Sequence, residues 1–107
     1  MTVKEIIEYT DKVRPNDFDQ MIKLDWINQV DGMVQAEIMR IPPEKIRRLK
    51  VNTDTLSVKH PYCEMYSLYL ISMVHLFTGN TEGYESFSKA YNDAMSRYAK
   101  YVARGGI

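Results

Sequence analysis

With a single cysteine, the chain has no partner for an internal disulfide. No charged-then-apolar leader with a cleavage site opens it, so no signal peptide is expected, and the expected setting is reducing and cytoplasmic. No apolar stretch reaches the roughly 18 residues that a membrane span needs. The five glycines are scattered rather than clustered at a helix start, which excludes a phosphate-binding loop. Net charge is also missing, because 14 Lys and Arg face 14 Asp and Glu. A neutral chain has no global attraction to nucleic acid or to an anionic membrane, and little self-repulsion to keep copies apart. Internal repeats and low-complexity tracts are absent too.

What is present is organised around one stretch, PYCEMYSLYLISMVHLF, residues Pro61 to Phe77. Tyr62, Tyr66, Tyr69, Met73 and Leu76 repeat at helical spacing and form one stripe. Met65, Leu68, Leu70, Ile71, Val74 and Phe77 cover most of the remaining circumference, so this helix must be enclosed by others. At 107 residues the chain is one domain with a single modest core.

Upstream, Thr2 and Glu5 form a capping box for a short amphipathic helix that Pro15 ends. Asp17 with Gln20 offers a second box. A second helix is expected from Phe18 to Arg40, with Phe18, Ile22, Trp26, Val30 and Met33 as its seam. Gly32 lies inside it at a cost of about 1 kcal/mol against alanine, which a close neighbour or a kink would explain. Pro42-Pro43 closes this helix, and Pro43 is placed to open one short turn, Glu44 to Leu49. Residues 50 to 60 are rich in Val and Thr and are expected to be extended. Twenty residues with so little helix are long for a compact bundle, and such segments are usually functional or disordered. Here the β-branched residues and prolines predict an ordered arm. After the central helix, Gly79 fits a turn and Asn80 or Thr81 a cap. Tyr84, Phe87, Tyr91, Ala94, Tyr98 and Tyr101 then recur as a seam that should zip onto the central helix as an antiparallel hairpin. The expected fold class is all-α: a small four-helix bundle with a long central arm, residues about 41–60, holding a short helix and an extended strand.

Charge alternates along the chain. Residues 1–40 carry −3, residues 41–60 carry +3, residues 61–88 carry −3 and residues 89–107 carry +3. Solvated faces explain such blocks first; docking of copies head to side is the sharper reading. Candidate chemistry is thin. His60 and Cys63 lack a third orienting group, so a buried thiol is the default for Cys63. His75 is expected at a surface or interface. No Glu-x-x-His pair supports a di-iron bundle. No catalytic, cofactor-binding or metal-ligating residue is assigned, no cofactor is expected, and no enzyme activity is expected. The cluster Lys45, Arg47, Arg48 and Lys50 is suited to a DNA backbone or an acidic protein surface, without an interleaved aromatic residue to stack bases.

Four stretches carry a family likeness. RPNDFDQMIKLDWINQVDGMVQAEI (14–38) pairs a Pro-Asn entry with a long Trp-Ile, Asp-containing helix. The Pro, Thr, Asp and Val of the arm (42–58) follow. HPYCEMYSLYLISMVHLFTGN (60–80) is a Pro-Tyr, Tyr-x-x-Tyr-Leu helix, and GYESFSKAYNDAMSRYAKYVAR (83–104) is a terminal helix rich in Tyr and Asn. Together they resemble the small head-to-tail connector (head-completion adaptor) proteins of tailed bacteriophages and Gram-positive prophages. Glu82 fills the place of a Glu that this family shows before its final helix.

The resemblance implies a non-enzymatic virion protein that assembles as a ring under the portal and extends the DNA channel. It implies as partners the portal protein, a stopper or tail-joining protein and copies of itself, with a monomer in solution allowed before assembly. DNA would pass through the channel without sequence-specific binding, and no membrane would be involved. The implied location is the bacterial cytoplasm during assembly and then the head–tail interface. On this reading Lys45, Arg47, Arg48, Lys50, Val51, Thr53, Leu56, Val58 and Arg104 make inter-subunit or portal contacts, the extended piece adding a strand to a neighbour. The alternative is a small nucleic-acid-binding regulator of a mobile element that uses the basic cluster at 45–50. A small helical enzyme or metal protein is a further rival.

Overall fold

The computed structural model describes residues 1–106. Among these, four α-helices form: α1 Val3–Val13, α2 Gln20–Met33, α3 Glu64–Phe77 and α4 Thr81–Ala103. The expected all-α bundle is what is seen. In α1 both halves of the Thr2/Glu5 capping box are made, and Val3, Ile6, Ile7 and Thr10 face inward.

The start of α2 differs from expectation. Asn16 Oδ1 accepts the Phe18 N–H at 3.1 Å, which holds Phe18 outside the helix. Asp19, not Asp17, is the cap, and its carboxylate accepts the Met21 N–H at 2.7 Å. Trp26 and Val30 of the predicted seam are buried, with Ile27 and Val34 beside them, while Ile22 stays 41% exposed. A π-helical turn, Val34–Ile38, continues α2. Met39 N–H then reaches back to Val34 O, and Ile41 N–H to Gln35 O, around Arg40 at φ 60°. That pattern ends a helix with a left-handed residue, here an arginine in the place glycine usually takes. No neighbour approaches Gly32: a Cβ added there would meet open space.

The α3–α4 hairpin forms as expected, though only part of the predicted stripe lies on it. Gly79 turns the chain at φ 81°, and Asn80 Oδ1 caps α4 by accepting the Gly83 N–H at 2.9 Å. Ring pairs zip the two helices together: Tyr62 with Tyr101 at 4.7 Å, Tyr69 with Tyr91 at 5.1 Å, and His75 with Phe87 at 5.4 Å. Tyr66 leaves this seam and turns toward α2, where its hydroxyl donates to Asp31 at 2.6 Å. The helix is enclosed as far as His75; Leu76 and Phe77 emerge.

His75 corrects another expectation. It is 7% exposed, stacked on Phe87 and pressed against Gly83, where a Cβ would lie only 2.5 Å from its Nδ1. Burial, and then the nearby Arg14 guanidinium, hold its pKa below the ordinary histidine value. Below about pH 6.5 the unfolded chain therefore binds a proton that the folded chain resists, so stability is lost as pH falls. Urea midpoints followed from about pH 7 to 5.5 should decline, and His75→Gln should flatten that part of the curve. An unchanged slope in the variant would show that other groups set it.

Candidate interaction surface

The arm is where the structure departs most from expectation. Residues 41–60 do not stand free. A 3₁₀ turn, Pro43–Lys45, opens the arm, and no strand forms among the described residues; only an isolated bridge joins Thr55 to Thr2. The reason is that backbone N–H and C=O groups, once drawn against a core, need partners. Three polar side chains on one flank of α2 and its π-helical continuation supply them.

Asn28 takes both peptide groups of Leu49: its amide donates to Leu49 O at 2.9 Å and its oxygen accepts Leu49 N–H at 2.8 Å. Gln35 does the same for Arg47, at 2.8 and 2.9 Å. Alternate arm residues are thus paired by amide side chains much as a neighbouring strand would pair them. Between these two clamps lies Asp31, fully buried. Its carboxylate accepts four bonds: from Ser57 N–H at 2.9 Å, Ser57 Oγ at 2.8 Å, Gln35 Nε2 at 2.8 Å and the Tyr66 hydroxyl at 2.6 Å. Burial first, and then the Asp31 carboxylate, drive the Tyr66 pKa well above the ordinary phenol value. That hydroxyl stays a donor.

The far side of the arm is fastened to α1. Val3 N–H donates to Asp54 O and Lys4 N–H to Asn52 O, each at 3.0 Å, so arm carbonyls complete the first turn of that helix. Leu56 N–H in turn donates to Met1 O at 3.0 Å. Within the tip, the Asp54 carboxylate accepts the N–H groups of Lys50 and Val51, which hold its pKa below the usual carboxylate range.

These bonds sort the residues assigned from sequence. Leu56 and Val58 are 3% and 0% exposed and pack in the core of their own chain, so they are corrected from contact residues to core residues. The strand-addition role of the extended piece is corrected with them, because the carbonyls of Asn52 and Asp54 and the N–H groups of Leu56, Ser57 and Val58 are already bonded within the chain. Arg47 folds back, its guanidinium donating to Thr55 O and to Ser57 Oγ. Arg48 lies 3.2 Å from the Asp25 carboxylate in an exposed pair. Lys45, Lys50, Val51 and Thr53 face solvent, and Val51 is 55% exposed. Arg104 caps the end of α4 and is exposed.

Sequence reasoning missed a second exposed feature. Phe77 stacks on Trp26 with centroids 5.9 Å apart, and Phe18 meets both rings edge-on. Phe77 is nevertheless 60% exposed, and Met21, close by Phe18 in the chain, is 65% exposed. Two acids, Asp17 and Asp19, flank Phe18 in sequence and are also exposed. The available signal was Phe77 itself, an aromatic residue on the last turn of an apolar helix, where enclosure by neighbours ends.

Among the described residues, no three His, Cys, Asp or Glu side chains gather as a metal site would require, and no helix is long and apolar enough to cross a membrane. A scan of protein-family models and searches of curated proteins and of solved structures give no match to this chain.

Proposed function

We propose that this chain is a structural, non-enzymatic head–tail connector of a tailed phage or prophage. In this role it joins a ring beneath the portal, extends the DNA channel and receives a stopper or tail-joining protein. The likeness across residues 14 to 104 motivates the reading. The observation that carries it furthest is the pair of outward surfaces on a rigid helical body. One is the exposed Phe77 ring with the Phe18 and Trp26 rings it meets, Met21 and Ile22 being exposed as well at the start of α2; the other is the pinned arm tip with Lys45, Lys50 and Val51. Exposed apolar residues rimmed by charge are typical of protein-contact surfaces, and a loop already held in shape loses little entropy on docking.

The nucleic-acid reading at 45–50 draws less support, since Arg47 and Arg48 are engaged within the fold. The virion reading is tested by deleting the gene from the element that encodes it and imaging the particles. DNA-filled heads and unattached tails are the expected products. A normal yield of joined particles would refute the role. A Phe77→Glu variant restored to that strain should reproduce the defect while remaining folded.

A further inference from the structure

The charge blocks of the sequence sort onto opposite ends of the folded body. At one end the α1–α2 loop meets the end of α3. The Phe18 and Phe77 ring centroids lie 6.3 Å apart, and residues 14 to 18 line a cavity of about 350 Å³ together with Val74 and Thr78. Asp17, Asp19, Glu82 and Glu85 are exposed at this end, and none of them joins an ion pair among the described residues. Lys12 and Arg14 offset only part of that charge. At the other end the arm tip, the starts of α1 and α3 and the end of α4 converge. Val3 N–H donates to Asp54 O, Leu56 N–H donates to Met1 O, and the Tyr62 ring packs on Tyr101. Lys45, Lys50, Lys59, Lys100 and Arg104 are exposed there without an ion-pair partner among the described residues, against Glu5, Glu44 and Asp54. The 23 residues of α4 hold the two ends about 35 Å apart.

Each end also exposes apolar surface, Phe77 at 60% on the acidic end and Val51 at 55% on the basic one. Pairing two acidic ends, or two basic ends, sets like charges face to face, which disfavours a symmetric dimer. An acidic end against a basic end matches both in sign and in apolar character. The total charge is zero, so no net repulsion opposes the approach. We infer that this chain docks head to tail on a second copy of itself. The Phe77 end of one copy receives the arm tip of the next, with Val51 against the Phe18 and Phe77 rings and with Lys45 and Lys50 facing Asp17 and Asp19. Such a contact is heterologous. Every open assembly keeps one unused end of each kind, so growth continues until a ring closes or a filament forms. The inference rests on the connector reading for the expectation that copies associate, and adds which surfaces meet.

The test uses two blocked variants of the whole chain, both substituted at exposed positions. Phe77→Glu blocks the receiving end, and Lys50→Glu/Val51→Glu blocks the arm tip. Sedimentation velocity is run up to about 1 mM protein, at about 10 mM ionic strength, where charges act over ~30 Å. The wild-type chain should grow past dimers as its concentration rises. Each variant alone should stay monomeric. Their equimolar mixture should form one-to-one dimers and nothing larger, because one intact receiving end then meets one intact tip. Circular dichroism checks that each variant is folded; should Phe77→Glu unfold, Asp17→Lys, outside the ring cluster, replaces it as the block. A wild-type chain that stays monomeric or stops at dimers overturns the inference, and so does a mixture that stays monomeric. Either variant associating like the wild type overturns it too. The gene-deletion experiment fails separately. Joined particles at normal yield refute the connector and leave the contact, whereas a monomeric chain refutes the contact and leaves the connector.

Discussion

Asp31→Ala is expected to destabilise the fold by about 3–5 kcal/mol, because it removes one buried acceptor from several donors at once. Asp31 is fully buried and its carboxylate takes four hydrogen bonds. Alanine would leave the Ser57 amide, the Ser57 hydroxyl and the Tyr66 hydroxyl without that acceptor. Each buried donor left unmatched costs about 1–3 kcal/mol. Gln35 suffers less, because its amide also donates to Arg47 O. Removing the carboxylate relieves its own desolvation, which keeps the total below the sum of the parts. A small domain is stable by only about 5–15 kcal/mol, so the alanine variant stands near the edge of folding. Asp31→Asn is the gentler probe. It keeps one acceptor oxygen but turns an amide NH₂ toward groups that also donate, and should cost about 2 kcal/mol. Urea unfolding followed by Trp26 fluorescence measures both. A loss under about 1 kcal/mol in the alanine variant would mean that the arm is not held by this carboxylate.

Asp11→Ala is expected to cost about 2–4 kcal/mol, whereas Lys23→Met should cost far less. The Lys23 side chain is 3% exposed and its ammonium lies 2.9 Å from Asp11, tying α1 to α2. Asp11 is 35% exposed and also accepts from Asn16, so its side of the pair remains partly solvated. That exposure sets the expected cost below that of a fully buried pair. The asymmetry is the diagnostic feature. Deleting the acid strands a cation in the interior, while replacing the lysine with a chain of similar length removes the charge and keeps the packing. The double variant Asp11→Ala/Lys23→Met should recover most of the stability lost in Asp11→Ala. Equal losses in the two single variants would refute this account.

The helices were legible in the sequence because their signals are local. Thr2 with Glu5, the Pro15 stop, the Gly79 turn and the tyrosine spacing of α4 each act within a few residues. The arm was not, because its Val and Thr content describes a backbone that wants an extended shape and says nothing of where its hydrogen bonds end. That information lay elsewhere, in Asn28, Asp31 and Gln35, spaced three and four apart beside the apolar seam of α2. A polar stripe adjoining a buried one, made of residues that both donate and accept, is the readable mark of a helix that holds a loop. Tyr66 was misplaced for a related reason. Spacing put it on the hairpin stripe, but the partner its hydroxyl needed was an acid 35 positions earlier. The candidate surface was legible in part: the outward basic residues of the arm could be named from sequence, while the exposure of Phe77 depends on which neighbours stop short.

The bonds between arm carbonyls and the opening turn of α1 bear on how the molecule comes apart. The α3–α4 hairpin is joined by adjacent chain, but α1 and the arm are fastened across some fifty residues of intervening sequence. Neither half of that clasp is complete without the other. The amide protons of Val3, Lys4 and Leu56 should therefore exchange with solvent at one shared rate, faster than those of the hairpin, as a single cooperative opening unit.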